Sequence, residues 1–154
     1  MALIDRVNGM SIAAALANRA TRDPEGSFLF HQEEIVTFGQ VDTRSDALAA
    51  SFASLGIETG DRVAIILPPC PEFVVALFAA AKLGAVVVPL NPFLTKPELR
   101  YMLRHSEAVV AVSVEDHGGE DFLSLFDELL PQLPELQYVV TVGEEDLWYD
   151  DQIF

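Results

Sequence analysis

The chain has 154 residues and carries 24 acidic side chains against 9 basic ones, a formal net charge of −15. With 51% apolar and 21% charged residues it is a globular chain of about one domain, neither disordered nor low in complexity. The absence of a basic stripe argues against a nucleic-acid partner, and the single cysteine, Cys70, excludes an intrachain disulfide framework and an all-cysteine metal site.

Along the chain, Ser11 to Ala20 reads as a short helix capped by Ser11, with Ile12 and Leu16 on one face. Asp23-Pro24-Glu25-Gly26 is turn chemistry, and Ser27–Phe30 with Glu34–Phe38 form a hairpin around His31-Gln32-Glu33. Thr37 and Gln40 have the spacing of a capping box. Val41, Leu48, Phe52 and Leu55 follow as one apolar stripe, and Gly56 stands where a left-handed residue ends a helix.

From Gly60 the pattern alternates between strand and helix. Val63–Leu67 is a strand-length apolar run that Pro68, Pro69 and Pro71 forbid extending. Pro71 suits the first turn of a helix that covers Glu72–Leu83 and stops at Gly84. Val86–Leu90 is the second strand. The segment Phe73–Leu90 is 18 residues long with one charge, Lys82, which brings it near the length of a membrane span. The prolines at both ends, the charge and Gly84 in its middle, and the change from Ala/Leu/Phe to valines split it into helix and strand. No leader is read in Met-Ala-Leu-Ile-Asp-Arg, so a soluble, cytoplasmic protein is expected. Thr95 and Glu98 form a second capping box, and Leu99, Met102 and Leu103 supply the buried face of a helix up to His105. Ala108–Val114 is the third strand. Phe122, Leu125, Phe126, Leu129 and Leu130 make a helix ended by Pro131, and Tyr138–Val142 is the fourth strand.

Three successive strand–helix–strand units with apolar strands predict an α/β fold: a layered parallel sheet with helices on both faces, preceded by a helix–hairpin–helix. The organisation expected is 1–58 helix–hairpin–helix, 59–143 strand and helix in alternation, and 144–154 an acidic end. Charge follows this division. Residues 1–114 hold 12 acidic and 9 basic side chains, whereas 115–154 hold 12 acidic and none basic, a net of −12. A solvated acidic face, a contact for a basic surface and adaptation to high salt are the readings of that segment.

The chemistry that can be sought is sparse. Glycine-rich phosphate loops, a G-x-S-x-G elbow and zinc-binding histidine or cysteine pairs are missing. Cys70 sits at a helix start, which can lower a thiol pKa; the plainer reading is a small residue tucked at a strand end. Glu115-Asp116-His117 with Glu120-Asp121 follows the third strand, where oxygen ligands could hold a divalent cation; the plainer reading is a polar loop leading into an acidic helix start. His31 lies in a turn and His105 at a helix end, and neither is assigned a catalytic role.

The blocks Gly60-Asp61-Arg62-Val63-Ala64-Ile65-Ile66-Leu67-Pro68 with Pro71-Glu72-Phe73-Val74, and Lys82-Leu83-Gly84-Ala85-Val86-Val87-Val88-Pro89-Leu90-Asn91-Pro92 with Glu98-Leu99-Arg100-Tyr101-Met102-Leu103, resemble the adenylate-forming superfamily. Val36-Thr37-Phe38-Gly39-Gln40-Val41 resembles its first core motif. The resemblance runs from about Ser11 to Val142 and is nearest to the acyl-CoA synthetase branch. Pro69 departs from it, standing where the family often has Asn.

The resemblance implies a partial N-terminal domain of an enzyme that joins a carboxylic acid to ATP, with magnesium, and then passes the acyl group to coenzyme A. The matched motifs are scaffold motifs. The family's phosphate loop, ribose-binding acid and lid lysine have no counterpart in this chain. The expected catalytic, cofactor-binding and metal residues are therefore none. ATP, magnesium and coenzyme A are expected to serve the full-length enzyme and not to bind this chain tightly, and self-association through exposed apolar surface is expected. The competing readings are a stand-alone, non-catalytic α/β binding or interaction module and a phosphoacceptor receiver. The second of these is disfavoured because Lys82 and Lys96 lie on or beside helices.

Overall fold

The computed structural model describes residues 9–143, so the acidic end expected at 144–154 lies outside the described residues. Helix α1 spans Ile12–Arg22, two residues beyond the expected Ala20, and starts where Ser11 Oγ accepts the Ala14 N–H at 3.1 Å. It buries Leu16 and Ala20, while Ile12 stays exposed, so the expected Ile12–Leu16 stripe is buried only at Leu16.

Strands β1 (Ser27–His31) and β2 (Glu34–Thr37) form an antiparallel hairpin. Its inner face joins Leu16, Val36 and Val41 in a small apolar cluster, with Phe28 packed edge-on against both Phe38 and Phe78. Helix α2 (Phe38–Ser54) begins at the Thr37 capping box. Thr37 Oγ1 accepts the Gln40 N–H at 3.2 Å and Gln40 Oε1 accepts the Thr37 N–H at 2.8 Å, which satisfies two otherwise unpaired donors. Gly56 follows the helix at φ 85°, in the left-handed region that favours glycine.

The remaining elements alternate: β3 (Arg62–Ile66), α3 (Pro71–Leu83), β4 (Val86–Pro89), α4 (Lys96–Ser106) and β5 (Val110–Val114). Two-residue strands β6 (Asp116–His117) and β7 (Glu120–Asp121) come next, then α5 (Phe122–Leu129), a 3-10 turn over Leu130–Gln132, and β8 (Tyr138–Val142). The main sheet is parallel throughout, in the order β4-β3-β5-β8.

Side chains leave alternate faces of a strand, so the sheet feeds two apolar layers. Val63, Ile65, Val110 and Val112 pack with Ala49 and Phe52 of α2 and with Ala76, Ala79 and Ala80 of α3. Ala64, Ile66 and Ala111 pack with Leu99 and Leu103 of α4 and with Phe122, Leu125, Phe126 and Leu129 of α5. The connection β3→β4 runs one way across the sheet with α3 on one face; β4→β5 and β5→β8 run the other way with α4 and α5 on the opposite face. Reversal of direction together with change of face keeps a single crossover hand.

Two expectations differ from the structure. The apolar strands predict a sheet covered on both faces; the central β3 and β5 are buried but for one half-buried residue each, whereas β4 and β8 are partly exposed because each occupies an edge. Met102 was expected on the buried face of α4, but that face is Leu99 and Leu103, one turn apart, and Met102 points outward. Among the described residues, no helix is long and apolar enough to cross a membrane.

Candidate functional site

In an open parallel sheet, ligands bind beyond the carboxyl ends of the strands, where neighbouring chains depart in opposite directions. Here that place lies between β3 and β5. Leu67, Pro68, Pro69 and Cys70 leave β3 toward α3, and Glu115 leaves β5 toward the β6–β7 hairpin.

The neighbouring strand exits close over this crevice. Asn91 Oδ1 accepts the Phe93 N–H at 2.9 Å, a tight turn that carries the Phe93 ring against His117, with ring centroids 5.0 Å apart. Gly118 and Gly119, at φ 63° and 86°, turn β6 into β7, and a side chain at Gly118 would meet the Phe93 ring at 3.4 Å. On the other side, Gly143 follows β8. A Cβ there would stand 2.5 Å from Glu115 Oε1, so the bare glycine is what lets that carboxylate rest against the backbone. Ser113 Oγ and His117 Nε2 are buried without a hydrogen-bond partner.

The helix starts around the crevice are the natural seats for a phosphate. Each is occupied by a carboxylate of the chain itself. At α3, partial burial pushes the Glu72 carboxyl up. Its own backbone N–H and the Arg44 guanidinium, 2.6 Å away, pull it further down, so it lies below its ordinary value. At α4, hydrogen bonds from the Thr95 hydroxyl and backbone N–H hold Glu98 below its ordinary value. At α5, the Ser124 backbone N–H and hydroxyl do the same for Asp121. From His105 onward the sequence has no Lys or Arg, so the β5 and β8 exits bring no cation. Among the described residues, the helix starts at this crevice do not fit a nucleotide triphosphate.

The three carboxylates have a shared pH consequence. Each has a lower pKa folded than unfolded. Its stabilisation is therefore complete above the unfolded value of about 4 and is lost as pH falls through the lower folded value. In an NMR titration, the amide signals of Glu72, Thr95 and Ser124 are expected to move together below the ordinary carboxylate range. Titration within or above that range contradicts the capping role.

The residues singled out in the sequence take plainer places. Burial raises the Cys70 thiol pKa; the Phe73 N–H opposes this, but the Glu72 charge adds to it, so the net shift is upward and the lowered-thiol reading is corrected. Of the acidic group after β5, Asp121 caps α5 and Glu120 pairs across the small hairpin with His117. Asp121 is thus the acidic helix start, as the N-cap of α5, and the preceding loop is the small β6–β7 hairpin. Among the described residues, no three His, Cys, Asp or Glu side chains are placed to hold a metal ion. His31 ends β1 opposite Glu34, and His105 stacks on Tyr101 with ring centroids 5.6 Å apart. The sequence reading gives Phe93, Ser113 and Gly143 no role of their own.

Comparison with known proteins places this arrangement. The family model described as AMP-binding enzyme matches residues 16–152. The 2,3-dihydroxybenzoate-AMP ligase of Bacillus subtilis is 34% identical over 110 residues, covering 71% of this chain and 20% of the relative. A long-chain-fatty-acid–CoA ligase of Yersinia pestis is 34% identical over 114 residues, covering 73% and 20%. The crystal structure of the anthranilate CoA ligase AuaEII, in complex with anthranoyl-AMP, superposes with a TM-score of 0.78 at 28% identity, over 89% of this chain and 26% of that one. The chain thus spans about a fifth of the length of the curated relatives it matches. With these motifs on this parallel sheet, the chain belongs to the AMP-binding enzyme family and represents a partial N-terminal portion of an adenylate-forming enzyme.

Proposed function

We propose that this chain is the scaffold portion of an AMP-forming acid–thiol ligase and catalyses neither half-reaction alone. In the full-length enzyme a carboxylic acid would attack ATP, with magnesium, to give an acyl-adenylate, and coenzyme A would then take the acyl group. The observation that carries the second half of the proposal is the set of helix starts filled by Glu72, Glu98 and Asp121, which leaves no seat for phosphate where one would be sought. On this reading none of the residues 1–154 is catalytic or metal-binding. Segments 1–58 and 59–143 serve as support.

The relatives' names divide between aromatic acids and long-chain fatty acids, so the acid substrate is proposed only as a carboxylic acid. A cytoplasmic location accords with this chemistry. ATP–pyrophosphate exchange with fatty and aromatic acids tests the proposal. No exchange above background is expected from this chain, and acid-dependent exchange would overturn it.

A further inference from the structure

We draw no further inference here: the strongest candidate, the free edge of β8, where Tyr138, Val140 and Val142 border the α2–α3 layer and Val139 the α4–α5 layer without being fully buried, carries nothing, because nothing in the structure shows what covers it.

Discussion

Replacing Phe52 with alanine is expected to lower the unfolding free energy by about 3–5 kcal/mol, a large share of the roughly 5–15 kcal/mol that holds a domain together. Phe52 has no exposed surface and lies in the layer between α2, α3 and the sheet, against Ala76, Ala79, Ala80 and the inward valines of β3 and β5. The buried residues that α3 adds to this layer are alanines, while Phe73, Leu77 and Leu83 border it, and how far these larger side chains close the space left by the ring sets the loss within that range. The Phe52 carbonyl also accepts the N–H groups of Leu55 and Ile57 at the helix end, so loosening the ring loosens the turn into β3. Urea denaturation of the wild type, F52A and the exposed-ring control F30A checks this. The control is expected to stay within about 0.5 kcal/mol of wild type. A loss for F52A below about 1 kcal/mol would show that the layer repacks.

The second large effect is expected at Lys82. Its side chain is 12% exposed, and its ammonium donates to three oxygens: Asp42 Oδ1 at 2.7 Å, the Asp42 carbonyl at 2.8 Å and Asp46 Oδ1 at 2.6 Å. This cluster ties the last turn of α3 to the first half of α2. Lys82→Met keeps the aliphatic stem but removes the charge, which leaves two carboxylates facing each other, while the Asp42 carbonyl still accepts from the Ser45 hydroxyl at 3.0 Å. The expected cost is about 1–3 kcal/mol, below that of breaking a fully buried pair because Asp46 is largely solvated. The combination of Lys82→Met with Asp42→Asn and Asp46→Asn is expected to recover part of the loss, since the repulsion disappears. No recovery in urea denaturation would mean that the ammonium acts only through its packing. Lys82 opens one of the segments that resemble the family's motifs, and its contacts give it a scaffold role.

Much of this architecture was legible because its signals are local. Thr37 and Thr95 mark helix starts through side chains three residues apart, and Gly84, at φ 74°, ends α3 where the pattern required a left-handed residue. Strand order is a different kind of fact. Nothing within Val63–Leu67 or Val86–Leu90 distinguishes a central strand from an edge, since that depends on pairing between distant segments. The crevice between β3 and β5 was unreadable for the same reason. Gly118-Gly119 shows a missed local signal: two glycines between short polar runs are hairpin chemistry, but two-residue strands have no apolar alternation to announce them. Met102 was misplaced because Leu99 and Leu103 alone complete the stripe that α4 buries. The chemistry stayed closed to a motif search because the carboxylates that fill the helix starts look, in sequence, like ordinary capping residues.

The alternation of sheet side chains carries one more consequence. Ala64 and Ala111, paired in register, face α4 and α5, while their neighbours Val63, Ile65, Val110 and Val112 face α2 and α3. Apart from Val114, which borders both, the two layers share only the backbone of the sheet. A change of volume on one side meets no side chain on the other, and the energies of changes on opposite sides should simply add. The domain therefore has two interiors that can drift separately: one lineage can rebuild the wall behind β3 while the wall in front keeps its original stones.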